Sequence, residues 1–189
     1  MLEGLISTLT QVDTTIFYMI NLNLQNSFFN FLMPIITNAG TDAFWLFICV
    51  LLFLFGGEKG RNVALITVIA LSIGYGVTEI LKYEVARPRP FITLENVHLL
   101  VTMNEYSFPS GHSVASFTGC MIIGKKYGYL PFFLLFACII AFSRVYVGVH
   151  YPFDVLAGAV IGVLCSLLIL HFEEDILKLK NRFVHKLMQ

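Results

Sequence analysis

The chain has 189 residues, of which 57% are hydrophobic and 13% are charged, about half the charged share of an ordinary soluble domain. A soluble domain of this length could not hide so much apolar surface from water, so lipid is the expected solvent. The formal net charge is zero, which gives no indication of a nucleic-acid partner.

The apolar segments predict an all-α integral membrane bundle of about six transmembrane helices, each near the ~20 residues that cross a bilayer. Leu5–Ile36 is moderately apolar but carries Asp13 and several asparagines. We expect one span there, broken near Asn21–Asn26; the alternative is an interfacial helix followed by a short one. The five clearer spans are Thr41–Gly57, Asn62–Leu81, Phe108–Gly124, Tyr127–Val147 and Pro152–His171.

We expect a single domain over residues 1–189, with a motif-bearing core at about 40–172 and an amphipathic tail at 173–189. The tail mixes acidic, basic and apolar side chains, which is typical of a helix on the membrane surface or of a solvated segment. Within the last span, Gly158 and Gly162 form a GxxxG pair that predicts close helix packing.

Successive spans alternate in direction, and this places three polar segments at one end of the bundle: Lys82–Pro90, Phe108–His112 and Ser143–Asp154. Most of the other cations fall at the opposite end, and they are Lys59, Arg61, Lys125, Lys126, Lys178, Lys180, Arg182 and Lys186. The positive-inside rule assigns that end to the cytoplasm. We therefore expect a multi-pass plasma-membrane protein with a cytoplasmic C-terminus and its polar cluster facing outward.

The polar cluster has the composition of a phosphate site. Lys82, Arg89 and Arg144 supply positive charge, and arginine forks suit phosphate oxygens. Ser110 and Gly111 stand where a helix begins, so a hydroxyl, free backbone N–H groups and the positive end of the helix dipole face the same place. These groups predict a phosphate cradle at this end of the bundle.

Two histidines and a carboxylate add chemistry to this cradle. A neutral imidazole can attack phosphorus, and a protonated one can donate to a leaving oxygen. Asp154 follows His150 by four residues, so on a helical turn it can hold the far N–H of that ring. We expect transfer to His150, with His112 protonating the departing oxygen and then activating water. Cations around the site would repel a divalent ion, so we expect neither a metal nor another cofactor.

The same residues form a motif set that resembles the type-2 phosphatidic acid phosphatases. That superfamily also includes glucose-6-phosphatase-like enzymes and vanadium-dependent haloperoxidases. The matching residues are Lys82–Pro90 as K-x6-RP, Pro109–His112 as PSGH, and Ser143–Asp154 as SR-x5-H-x3-D.

The resemblance implies His150 as nucleophile, Asp154 as its orienting partner and His112 as general acid and base. It implies a phosphate-binding set of Lys82, Arg89, Ser110, Gly111 and Arg144. It favours a metal-independent lipid phosphatase acting on polyprenyl (undecaprenyl) diphosphate. The alternatives are a phosphatase for phosphatidylglycerophosphate or phosphatidic acid, a lipid phosphotransferase, and a non-enzymatic lipid-phosphate binder.

Two charged residues beside the motifs have no assigned role. The six-residue spacer from Lys82 selects Arg89, which leaves Arg87 either as a second phosphate contact or as a cation reaching to the membrane surface. Glu79 lies three residues before Lys82, and we expect the two to pair on the helix rather than to act in catalysis.

Overall fold

The computed structural model describes residues 2–187, and over that range the chain is helical with no strand. Residues 188 and 189 of the predicted tail, and Met1 of the predicted domain, lie outside the described part. The helices are α1 Leu2–Asn21, α2 Ser27–Asn38, α3 Asp42–Phe55, α4 Gly57–Val85, α5 Pro90–Thr93, α6 Gly111–Tyr127, α7 Leu130–Tyr146, α8 Pro152–His171 and α9 Glu173–Leu187.

The N-terminal region is two helices, α1 and α2, separated in the stretch where the sequence predicts a break. Capping side chains define the helix starts that follow. The side-chain Oδ1 of Asn26 accepts the Phe29 N–H at 2.9 Å, and the Thr41 hydroxyl accepts the Phe44 N–H at 3.2 Å. Each cap satisfies one of the N–H groups that a helix start leaves without an intrahelical partner.

By length and composition, two helical stretches in the described residues can cross a membrane, Gly57–Thr93 and Pro152–His171. The α2–α3 pair, bent by 59°, qualifies as a third if it forms one span, and α7 is a shorter apolar helix. Large side chains project outward from these helices, including Phe31 at 72% exposed and Phe55 at 80%. An outer surface of this kind fits a lipid surrounding.

Helix α6 lies at the centre of the bundle and packs most extensively on α7, α8 and α4. Its contact with α8 depends on Gly158 and Gly162, where an added Cβ would lie 2.6 Å from the carbonyl oxygens of Ser110 and Val114, respectively. This confirms the predicted close packing of the GxxxG pair. It also brings the first turn of α8 against the start of α6, so the second and third motifs meet.

The interior between α3, α4, α6 and α7 is apolar. Its largest cluster of buried residues includes Trp45, Ile66, Ala70, Cys120, Ile122 and Ala137. Helix α9 begins at the end of the bundle away from the motifs, where Glu173 pairs with Lys126 and Lys180 donates to Asn62 at 2.6 Å. The predicted tail is therefore a helix attached to the ends of α6 and α4.

Candidate active site

The three motif segments meet around one cavity of about 130 Å³. Five of the eight predicted site residues line it, and they are Lys82, Arg89, Gly111, His112 and His150. The other three, Ser110, Arg144 and Asp154, are each at most 1% exposed. The predicted convergence of distant segments at one end of the bundle is therefore present in the structure.

His150 lies in the short connection between α7 and α8, after a turn at Gly148. Gly148 has φ of +87°, and an added Cβ would lie 2.8 Å from the His98 carbonyl oxygen, so this turn suits glycine. The imidazole of His150 is buried, with Nε2 3.2 Å from Nη1 of Arg89 and Nδ1 3.6 Å from Oδ2 of Asp154. The i,i+4 placement of the carboxylate behind the ring is as the sequence predicts.

These contacts fix where the ring carries its proton. A guanidinium only donates hydrogen bonds, so the atom facing Arg89 has to be an acceptor. We therefore infer that Nε2 carries the lone pair and Nδ1 the proton; Nδ1 faces Asp154 at 3.6 Å, and it makes no hydrogen bond among the described residues. Burial first, and then the charges of Arg144 and Arg89, lower the pKa of His150 to about 4, against the raising influence of Asp154. The ring is neutral at pH 7, as a nucleophile has to be.

Asp154 stands in the first turn of α8 with both carboxylate oxygens occupied. Oδ2 accepts the Ser107 hydroxyl at 2.5 Å and the Tyr151 N–H at 2.9 Å, the latter in the manner of a helix cap. Oδ1 accepts Nη1 of Arg87 at 2.6 Å. The carboxylate is 0% exposed, and this set of donors keeps it oriented toward His150.

Arg89 is held in place by backbone carbonyl groups. Its Nε donates to the Glu105 carbonyl oxygen at 2.5 Å and its Nη1 to that of Val149 at 2.9 Å. The side chain is 1% exposed and lies beside His150. A phosphoryl group on Nε2 would therefore lie next to a preset positive charge.

Arg144 and Ser110 carry polar atoms that have no hydrogen-bond partner among the described residues. Nη1 of Arg144 donates to the Thr37 hydroxyl, whereas its Nε and Nη2, and the Ser110 hydroxyl, are buried without a partner there. Buried polar groups are normally satisfied, and a guanidinium especially so. An oxyanion between α7 and the start of α6 would satisfy these donors.

Lys82 is already paired with acidic side chains. Its Nζ lies 3.0 Å from Glu79, which confirms the predicted i,i+3 pair, and it also bonds the Glu105 carboxylate. The hydrogen bond from Lys82 is the largest influence that lowers the pKa of Glu105, so this carboxylate is ionised at neutral pH. Glu105 is a neighbour of the site that the sequence reasoning missed.

Arg87 bridges two buried carboxylates, donating to Asp154 and, at 2.7 Å, to Asp13 of α1. The sequence did not predict this bridging arrangement, and the two alternatives for Arg87, a phosphate contact and a cation at the membrane surface, stay predictions. Asp13 and Ser107 were missed as well, although an acidic residue in an apolar helix was a signal that a partner was needed.

The loop before α6 packs on the protein. Leu100 and Val101 contact the buried cluster of Tyr146, Val147 and Val149, and the Leu100 N–H donates to the Val147 carbonyl oxygen at 3.1 Å.

Among the described residues, no group of three or more His, Cys, Asp and Glu side chains is arranged to hold a metal ion.

Known proteins are similar to this chain in sequence and in fold. Residues 62–178 match the PAP2 superfamily. An undecaprenyl-diphosphatase of Sulfolobus acidocaldarius is 33% identical over 165 residues, which cover 85% of this chain and 78% of that protein.

Two solved structures superpose on most of the chain. The crystal structure of Aquifex aeolicus LpxE has a TM-score of 0.76 and 30% identity, over 85% of this chain and 95% of that one. A transmembrane PAP2-type phosphatidylglycerolphosphate phosphatase from Bacillus subtilis has a TM-score of 0.75 and 26% identity, over 89% and 88%. The family resemblance of the motifs is thus confirmed, and the chain belongs to the PAP2 superfamily as a membrane phosphatase.

Proposed function

We propose that this phosphatase hydrolyses a lipid diphosphate, with a polyprenyl diphosphate as its main substrate, through a phosphohistidine on His150. The observation that carries the proposal is the orientation of that ring. Nε2 carries the lone pair and lies beside Arg89, and Nδ1 faces a carboxylate that is anchored on both oxygens. The proposed nucleophile and a cation suited to phosphate therefore line one cavity, and the orienting carboxylate is buried behind the ring.

The reaction has two steps. Nε2 of His150 attacks phosphorus, the bond to the leaving oxygen breaks, and His112 donates a proton to that oxygen. Water then attacks the phosphohistidine, His112 takes up its proton, and the phosphorus–nitrogen bond breaks to release inorganic phosphate. Asp154 stabilises the positive charge that forms on the ring in the first step. We assign phosphate binding to Lys82, Arg89, Ser110, Gly111 and Arg144.

A groove beside the cavity supports a lipid substrate. It has a volume of about 270 Å³ and lies between α3 and α4, lined by Leu46, Val68 and Ser72. Asp42, Leu71 and Tyr75 line both the groove and the phosphate cavity. An apolar chain in this groove would leave its phosphate within reach of His112 and His150.

The distribution of cations supports an outward-facing site. Three cations lie at the end of the bundle away from the cavity. Lys126 pairs with Glu173 of α9, Lys180 of α9 donates to Asn62, and Nζ of Lys59 lies 4.6 Å from the centre of the Tyr127 ring. The positive-inside rule places this end, with the C-terminus, in the cytoplasm. A cysteine-accessibility experiment in intact cells tests this orientation. Single cysteines introduced in the 94–106 loop should react with a membrane-impermeant thiol reagent, and single cysteines introduced in α9 should not.

Phosphatidylglycerophosphate is the second candidate substrate, because a structural neighbour of high similarity is a phosphatase for that lipid. The test is a panel of polyprenyl diphosphate, phosphatidylglycerophosphate, phosphatidic acid and diacylglycerol pyrophosphate in detergent, with EDTA present and no acceptor alcohol. We expect release of inorganic phosphate, fastest from the polyprenyl diphosphate, and inhibition by vanadate. A strict need for added Mg²⁺ or for an acceptor alcohol would overturn the mechanism.

A further inference from the structure

Four side chains form a line from the cavity to the N-terminal helix, in which basic groups alternate with carboxylates: His150, Asp154, Arg87 and Asp13. Nη1 of Arg87 lies 2.6 Å from Oδ1 of Asp154, and its Nη2 lies 2.7 Å from Oδ2 of Asp13. Both carboxylates are buried, at 0% and 1% exposed. The motif reading assigns a role to neither Arg87 nor Asp13, and Asp13 lies outside the residues that match the family.

Resting on the function proposed above, we propose that Arg87 and Asp13 are positioning residues for catalysis, which hold Asp154 in the place and charge state that His150 needs. Arg87 is suited to this because its planar fork can bond two carboxylates at once. Its Cζ also lies 3.8 Å from the centre of the Tyr151 ring, which fixes the plane of the guanidinium.

The charges explain why a second carboxylate is present. In the resting site His150 is neutral, so Asp154 without Arg87 would be a buried and unpaired charge, which is strongly unfavourable. Arg87 alone, however, would neutralise Asp154 and weaken its pull on the ring. With Asp13 included, the three groups carry a net charge of minus one, and the positive charge that develops on His150 during attack balances it.

Asp13 also fixes where Arg87 lies. Its Oδ1 accepts the Phe153 N–H at 2.9 Å, so the carboxylate is attached to the first turn of α8, next to Asp154. One nitrogen of the guanidinium is thereby kept on Asp13. Arg87 therefore cannot turn both nitrogens onto Asp154 and draw it away from His150, whose Nδ1 is already 3.6 Å distant.

The test measures kcat and KM separately in purified full-length variants, with phosphate release as the readout. We expect Arg87→Gln to lower kcat about 100-fold and Asp13→Asn about 10-fold, each with KM within about twofold of wild type, the range typical for partners that orient a reacting group. The double variant removes one charge of each sign. We expect its kcat to exceed that of Arg87→Gln alone by at least about fivefold.

Tyr18→Phe is the matched control. Its hydroxyl donates to the Glu95 carbonyl oxygen at 2.9 Å, so it attaches α1 to the loop that follows α5 and makes no hydrogen bond to any of the four groups. We expect its kcat to equal that of wild type. If Arg87→Gln does not fold, Arg87→Lys carries the test, because it keeps the charge but not the fork, and we expect a kcat about 10-fold lower.

Unchanged kcat in Asp13→Asn and Arg87→Lys, beside a wild type that releases phosphate and a His150→Ala that does not, would overturn this inference alone. The inference would also be overturned if Asp13→Asn and the Arg87 variants lowered kcat only as much as Tyr18→Phe does. A wild type that releases no phosphate from any lipid of the panel would overturn the proposed function and this inference together.

Discussion

The two halves of the candidate site differ in how complete they are before substrate binds. On the nucleophile side, Asp154 has donors on both oxygens, from Arg87, Ser107 and the Tyr151 backbone. On the phosphate side, Arg144 has two buried nitrogens without a partner among the described residues, and Lys82 is held by acidic side chains.

This contrast separates two tasks. A nucleophile has to be aligned before the reaction, and a set of protein hydrogen bonds achieves that alignment without substrate. A phosphate-binding set needs some donors that are still available, as on Arg144, since donors that are fully satisfied by protein gain little from a phosphate. Variants on the nucleophile side should therefore change kcat, and variants on the phosphate side should change KM.

The largest effect is expected from His150→Ala, which removes the attacking atom. We expect turnover to fall by at least about 10⁴-fold, with no phosphoenzyme formed. The measurement is phosphate release together with trapping of labelled enzyme in an alkaline quench, because the phosphorus–nitrogen bond of a phosphohistidine is hydrolysed in acid. His171→Ala, at the far end of α8, is the control and should be fully active. Turnover that survives in His150→Ala would exclude the covalent mechanism.

Asp154→Asn should lower kcat by about 10³-fold, because an amide neither stabilises the positive ring nor fixes its proton on Nδ1. Ser107→Ala removes one of the hydrogen bonds to the same carboxylate and should cost less than about tenfold. Thermal unfolding of both variants distinguishes lost orientation from lost folding. If Asp154→Asn and Ser107→Ala lowered kcat by the same factor, Asp154 would act mainly through structure.

The acidic limb of kcat/KM should lie near pH 4. The pKa of His150 is lowered to about 4, and protonation below that value removes the lone pair that attacks. Activity should therefore be constant down to about pH 5 and then fall about tenfold for each pH unit below 4. Two substrates with different phosphate pKa values distinguish the enzyme from the substrate. A limb near the ordinary histidine value of about 6.5, the same for both, would contradict the burial argument.

The parts of the site that could be predicted from sequence depend on local spacing and on parity. His150 and Asp154 are four residues apart, and Glu79 and Lys82 are three apart, so each pair spans about one helical turn. In the structure the side chains of each pair lie next to each other. Alternating span direction brings the three motifs to one end of the bundle whatever the packing between helices. The predicted break near Asn21–Asn26 follows from polar side chains that interrupt an apolar helix.

The remaining contacts depend on packing that spacing does not determine. Arg87 and Asp13 are 74 residues apart, and their bond requires α1 to lie against the start of α8. The Ser107 hydroxyl reaches Asp154 across 47 residues for a similar reason. The sequence predicts clear spans at Phe108–Gly124 and Tyr127–Val147, whereas the helices there, α6 and α7, have 17 residues each and are short for a bilayer crossing.

The smallest expected effect concerns Glu105, whose exposed carboxylate bonds Lys82 where a phosphate is expected to bind. Its pKa is lowered chiefly by the hydrogen bond from Lys82, so at neutral pH it stays ionised and competes with substrate. Glu105→Gln removes that charge but keeps the backbone carbonyl group that accepts Nε of Arg89.

We expect Glu105→Gln to lower KM and the vanadate inhibition constant about threefold, because an ion pair whose carboxylate is exposed contributes only modestly, while kcat stays unchanged. Glu95→Gln, which changes an exposed glutamate of the same loop, should alter neither constant. Steady-state kinetics with vanadate titration measures both. A higher KM in Glu105→Gln would mean that this carboxylate holds Lys82 in position for phosphate, and that the phosphate side of the site is prearranged after all.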